Sequence, residues 1–426
     1  MFRKETLPNG TTLVFETLPH VRSAAVGIWV RAGAVDETAD IAGENAGASR
    51  QPGISHFIEH MLFKGTQRRS AKEIAEAIDR TGGSMNAFTG KEATCYYVKS
   101  LSSHVGESAD VLVDMLTGAL FDADEMEKEK QVVYEEMKMI EDTPEDLGQD
   151  LVEEAVFDGS NLGHRIIGTK QTVGSITRDD ILRYMSRCYT ADNIVVAVCG
   201  NFDEQALTAQ LSEGLAPLAP TRSLNRSVPH VAHAPSFLSR TKDIEQSHLY
   251  FGMRGVPYEH EDHYALTVYS SILGGGMSSR LFQKVREEKG LAYSVYSMSS
   301  AFVEDGIFLI YAGVGEGNER VTADAIREET ELLAREGVGE AELAKAREQN
   351  KGHYIFNQEN VSGRMFSAGR NYLLHGRGYT AEEIIGGIDA VTCEDIKRVA
   401  ARYADLADYT SVHIGKKQLS ARDMGL

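Results

Sequence analysis

The segment Ser247–Leu273, SHLYFGMRGVPYEHEDHYALTVYSSIL, decides the fold. It reads as strand, loop and helix. In order and residue type it repeats AAVGIWVRAGAV (Ala24–Val35) followed by ISHFIEHMLF (Ile54–Phe63). A second echo closes each half: RYADLADYTSVHIG (Arg402–Gly415) mirrors RCYTADNIVVAVCG (Arg187–Gly200). Repetition on this scale implies duplication. The expected fold is α+β, two similar α/β-sandwich halves, each a mainly antiparallel sheet packed with helices. The Pro-rich, aperiodic stretch 215–235 (LAPLAPTRSLNRSVPHVAHAP) is the expected linker between domains at 1–214 and 236–426.

The 426 residues exceed one ordinary domain. With 44 basic against 63 acidic residues the net charge is −19, which argues against a nucleic-acid binder needing a basic face. Cys95, Cys188, Cys199 and Cys393 form no CxxC pair and suit a reducing compartment. The start shows no apolar h-region, and the chain has no apolar run of membrane-spanning length. A cytoplasmic location without membrane contact is therefore expected.

The first half opens with a hairpin around Pro8-Asn9-Gly10 and a strand at Ala24–Arg31. A helix at Ala71–Thr81 stops at Gly82-Gly83, and SMNAFTGKEATCYYVKSL (Ser84–Leu101) reads as two strands about Gly90-Lys91. Amphipathic helices are expected at Ser103–Leu120 and Asp122–Glu141, then a helix at Ile181–Cys188 and the buried strand NIVVAVCGN.

One feature breaks the symmetry of the halves. The helix ISHFIEHMLF carries His56, Glu59 and His60, whereas its counterpart at Ala265–Ile272 is plainly apolar. His56 and His60 stand at i and i+4, so two imidazoles share one helix face and can bind one metal ion. Glu59 lies between them, near enough to act on a metal-bound water. Phe57, Ile58, Met61, Leu62 and Phe63 bury the rest of the cylinder, where uncompensated polar groups are costly. Histidines satisfied by neighbouring backbone are the competing explanation, but the H-x-x-E-H pattern is an inverted zinc-peptidase motif.

A catalytic zinc takes three protein ligands and leaves one position open. The helix EMEKEKQVVYEEMKMIEDTPED offers the third. Val132, Val133, Met137 and Ile140 define its expected buried stripe, and Glu129 and Glu136, seven apart, share that face. Glu125, Glu127, Glu135 and Glu141 read as solvated surface charge. A structural zinc site is disfavoured because no cysteine accompanies these residues.

HFIEH followed by EKEKQVVYEEM resembles the pitrilysin/insulysin (insulinase) family of zinc metallopeptidases, in its processing-peptidase branch. That family places a glutamate ligand 76 positions after the second histidine, and Glu136 lies 76 after His60. The resemblance implies one Zn2+ per chain on His56, His60 and Glu136, with Glu59 as general base and Glu129 bracing the site. GGSMNAFTGKEATCYY resembles the family's substrate-pairing edge strand, with Asn86, Ala87 and Phe88 as contacts. SSILGGGMSSRLFQKVREEKGLAYSVYS resembles its second-domain segment, in which Arg286 and Tyr293 would contact substrate near the scissile bond. Gly274–Gly276 lacks the Lys-Ser/Thr of a phosphate loop and reads as a helix stop. GENAGASRQPG (Gly43–Gly53) is an addition of roughly ten residues before the metal helix, expected to form a flexible loop.

The activity so implied is endopeptidase cleavage of extended peptides or presequences by a zinc-bound water that Glu59 activates. The rival class is a non-catalytic peptide-binding or assembly subunit, which the intact motif disfavours. Two domains supply half of the family's four-domain chamber. A homodimer follows as an expectation, because the zinc motif and the Arg/Tyr pair occur in one chain.

Overall fold

The computed structural model describes residues 2–37, 51–220 and 231–426. Most of the Gly/Ala-rich addition (43–50) and the middle of the expected linker (221–230) lie outside the described residues.

Two sheets organise the chain. The first contains β1 (Arg3–Thr6), β2 (Thr12–Thr17), β3 (Ser23–Val30), β4 (Ser84–Thr89), β5 (Thr94–Leu101) and β6 (Ile194–Gly200), ordered β1-β2-β6-β3-β5-β4. The second contains β7 (Phe237–Thr241), β8 (Gln246–Arg254), β9 (Ala292–Ala301), β10 (Gly306–Gly315) and β11 (Thr410–Gly415), ordered β7-β11-β8-β10-β9. Each has one parallel pair, β2 with β6 and β7 with β11, and is otherwise antiparallel. The order β2-β6-β3-β5-β4 thus recurs as β7-β11-β8-β10-β9, the duplication that the sequence repeat implied. Every residue of β6 is buried, and β3 is buried except at Ser23, because helices cover both faces.

Sequence position alone would put 139–163 in the first domain and 356–380 in the second. Packing exchanges them. One compact unit comprises Met1–Lys138, His164–Ser227 and Phe356–Thr380; the other comprises Met139–Gly163, Val228–Ile355 and Ala381–Leu426. The helix Val361–His375 lies on β3 and β6 of the first sheet. A Cβ on its Gly369 would come 2.1 Å from Trp29 Nε1, so only glycine permits this approach. Arg364 Nη1 secures the same helix to the buried Glu16 Oε2 at 2.9 Å. In the second unit the helix Pro144–Val156 lies on β8 and β11, and a Cβ on Gly148 would meet the Tyr250 ring at 2.1 Å.

The helix Ala123–Asp142 buries Met126, Glu129, Lys130 and Val133. Val132, expected on the buried stripe, is instead exposed, and Met137 and Ile140 are half-buried. Its neighbour Val133 takes the core position, and Glu129, i−4 from Val133, lies on the covered side.

Candidate metal centre

The helix Ile54–Leu62 begins after Gly53, whose φ of 95° suits the left-handed turn that enters it. Its first amides are capped by Glu37. That carboxylate accepts from Gly53 N at 2.8 Å and Ser55 N at 3.0 Å, satisfying donors that the helix leaves unpaired. Burial pushes the Glu37 carboxyl up to about 8 despite these bonds. Ile54, Phe57, Ile58, Met61 and Leu62 go into the core, which turns His56, Glu59 and His60 together toward the partly open side.

There they meet the helix Ala123–Asp142. Glu136 Oε2 lies 3.8 Å from His56 Nε2 and 3.5 Å from His60 Nε2. One donor atom from each of the three residues falls within 4.8 Å of the others; among the described residues this is the one such group of His, Cys, Asp or Glu. Zinc–ligand bonds of about 2.0–2.1 Å at tetrahedral angles set donor atoms about 3.4 Å apart, close to these separations. Two imidazoles and a carboxylate with an open side are the donor set of a catalytic zinc, so the residues fit the ion. The sequence-predicted ligands His56, His60 and Glu136 are therefore brought together.

The two imidazoles are held differently. His60 Nδ1 donates to Glu129 Oε1 at 2.8 Å, which fixes its tautomer and leaves Nε2 free to ligate. Burial alone would lower the His60 pKa, but the Glu129 bond and the charges of Glu136 and Glu59 outweigh it and raise it. His56 Nδ1 is buried with no hydrogen-bond partner among the described residues, so no bond at that atom braces the ring as Glu129 braces His60. Burial, then the neighbouring His60, depresses the His56 pKa to about 4. His56 is thus neutral and ready to donate a lone pair throughout the physiological range.

Glu59 is not within the donor group. Its carboxylate accepts a hydrogen bond from Thr89 Oγ1, at the end of β4. Burial raises its pKa, opposed by the Thr89 bond. Glu129 is nearly fully buried yet stays an anion; His60 and Lys64 overcome the burial and lower its pKa.

Among the described residues β4 is the outer strand of its sheet and pairs with β5 alone. Asn86, Ala87 and Phe88 sit on it, and the Ala87 N–H donates to the Asn86 side-chain Oδ1 at 2.8 Å instead of to a further strand. Phe88 is 40% exposed and stands edge-on to Trp29 (5.5 Å between centroids) and Phe366 (5.9 Å). In the second unit Arg286 and Tyr293 also come together: the guanidinium lies 5.0 Å from the Tyr293 ring centroid, and Tyr293 is 74% exposed. Sequence reasoning missed Glu37, Thr89 and Lys64. Lys64 had a signal, its i+4 spacing from His60; Glu37 and Thr89 had none.

Three possible metal donors thus stand beside the Glu59 carboxylate, which is bonded to the end of an outer strand. Comparison with known proteins places the chain further. Residues 12–170 match the family described as Insulinase (Peptidase family M16), and residues 175–350 match the Peptidase M16 inactive domain. The zinc protease YmxG of Bacillus subtilis, described as uncharacterized, is 41% identical over 94% of this chain and 95% of its own. An uncharacterized zinc protease of Streptomyces coelicolor is 37% identical over 93% of this chain and 86% of its own. A Helicobacter pylori protease superposes with a TM-score of 0.87 at 22% identity, over 97% of this chain and 99% of that one, a likeness of fold. The chain belongs to the M16 family of peptidases.

Proposed function

We propose that the protein is a zinc-dependent endopeptidase that cuts extended peptides or unfolded segments such as presequences. The observation that supports it is the convergence of His56, His60 and Glu136 with the unligated carboxylate of Glu59 at their side. Zinc, when bound, supplies Lewis acidity toward water and the scissile carbonyl.

The chain's own groups do the rest. Glu59 accepts the proton of the attacking water and returns it to the leaving amine. A base with a raised pKa is better matched to both transfers than an ordinary carboxylate. Glu129 keeps His60 in the tautomer whose Nε2 faces Glu136. The outer edge of β4 can pair with a peptide backbone, the Ala87 N–H being exchanged from the Asn86 side chain to the peptide, which selects extended conformation before side-chain identity. Thr89 ends that strand on Glu59, so a peptide laid along Asn86–Phe88 runs toward the base. Arg286 and Tyr293 are proposed as further substrate contacts that donate to the developing oxyanion.

The test is removal and return of metal. Cleavage of an unstructured peptide, followed by mass spectrometry, should vanish on chelation and recover fully at one zinc per chain. Cleavage that survives exhaustive chelation would reject the proposal in favour of another peptidase mechanism. Absence of cleavage at full zinc occupancy would favour the non-catalytic peptide-binding subunit. The proposal extends to a homodimer, for which light scattering should give twice the chain mass; a fully active monomer would contradict that extension.

A further inference from the structure

Lys64 is a cation that the mechanism above leaves unused. It follows His60 by four residues, just past the end of the metal helix, and its Nζ pairs with Glu129 Oε2. The other oxygen of that carboxylate receives His60 Nδ1–H at 2.8 Å. The Glu129 side chain is 6% exposed and that of Lys64 is 29% exposed. One buried carboxylate therefore bridges an imidazole and an ammonium, each on its own oxygen.

We propose that Lys64 is a positioning residue for the metal centre: it fixes the Glu129 carboxylate in the orientation that aims His60 Nε2 at Glu136. The reason is geometric and electrostatic. A buried carboxylate needs compensating charge and saturated hydrogen bonding. Held only by a neutral imidazole, it is free to turn about its terminal bonds, and the ring it holds turns with it. The ammonium ties down the second oxygen, so the plane of the carboxylate, and with it the imidazole, is set from both sides. His60 gains a rigid outer support in this way, while His56 Nδ1 has no hydrogen-bond partner among the described residues. Metal affinity should accordingly respond to Lys64 although Lys64 is not a ligand.

This inference rests on the proposal that the centre holds zinc, and the experiment separates the two. Zinc dissociation constants are measured by chelator competition for wild type, Lys64→Met, Lys64→Gln, Lys64→Arg, Glu129→Gln and the Lys64→Met/Glu129→Gln pair. Melting temperatures of the metal-free proteins confirm that each is folded. Loss of outer support costs metal sites about 10- to 100-fold, so Lys64→Met and Lys64→Gln should weaken zinc by about tenfold. Lys64→Arg should recover most of that loss, because the fixed cation returns. The double variant should bind no more weakly than Glu129→Gln alone, because Lys64 acts through Glu129. Wild-type affinity in both Lys64→Met and Lys64→Gln, or losses that multiply in the double variant, would overturn the positioning role alone. A wild type without zinc at this centre would overturn the functional proposal as well.

Discussion

Zinc binding to the metal-free protein should displace one proton, from His60, across the mildly acidic range. Both imidazoles must be neutral to ligate. His56 is already neutral down to about 4, because burial and the adjacent His60 disfavour its charged form. His60 differs: although burial opposes its charge, the Glu129 bond and the charges of Glu136 and Glu59 raise its pKa above the ordinary 6.5. Below 6.5, therefore, zinc competes with a proton on His60 and not on His56. Each pH unit then weakens binding about tenfold, equivalent to about 1.4 kcal/mol. From pH 6.5 to 4.5 the total is about 100-fold, and the slope steepens toward two protons only near pH 4. Chelator competition at constant ionic strength, corrected for chelator protonation, measures this slope. A slope of two already at pH 6 would mean that His56 is protonated and not buried beside its partner; a flat profile would remove His60 from the ligand set. The same groups give a sign for stability. The sign differs among them: His60, Glu59 and Glu37 have raised pKa values and hold more protons folded than unfolded, whereas His56, like His248 and His413 elsewhere, has a lowered one and holds fewer. Glu37, raised from 4.5 to about 8, contributes stability that is lost as pH rises toward 8. The urea midpoint of wild type should therefore fall relative to that of Glu37→Gln between pH 6 and 8; a constant difference would contradict the buried neutral carboxyl.

Thr89→Ala removes the hydrogen bond that favours ionised Glu59, so the acid limb of the kcat/KM profile should move to higher pH; an unmoved limb would separate Thr89 from the base. The exchanged helices make a stability prediction. Gly369→Ala and Gly148→Ala, whose new Cβ atoms would overlap Trp29 and Tyr250, should each cost about 1–3 kcal/mol in urea unfolding. Gly386→Ala, on the helix Ala381–Ala390 with nothing within 4 Å of the added atom, should be neutral or stabilise by up to about 1 kcal/mol. Equal responses at the three glycines would contradict the exchanged packing.

The proposed ligands were legible because their chemistry is local and periodic. His56 and His60 needed only helical spacing, and Glu136 stood out as an acid on a partly apolar face, although the stripe itself was misjudged at Val132. The strand repeat was equally plain, since β3 and β8 are long apolar runs bounded by turns. The exchange of 139–163 and 356–380 left no mark of that kind. Its determinants are glycines at close contacts, Gly369 against Trp29 and Gly148 against Tyr250, and a glycine in a sequence does not say which side chain it makes room for. Thr89 was hidden for a related reason, an ordinary polar residue at the end of a strand to which only the tertiary approach of Glu59 gives a role, and the i+4 spacing of Lys64 from His60 could not name Glu129 as its partner.

The central claim is that Glu59 is the base of a zinc centre to which it does not itself bind. Zinc content and peptide cleavage measured side by side for wild type and Glu59→Gln test it most directly. The account predicts one zinc per chain in both proteins and cleavage lowered by about 100-fold or more in the variant. A variant that keeps its zinc and cuts at the wild-type rate would contradict it.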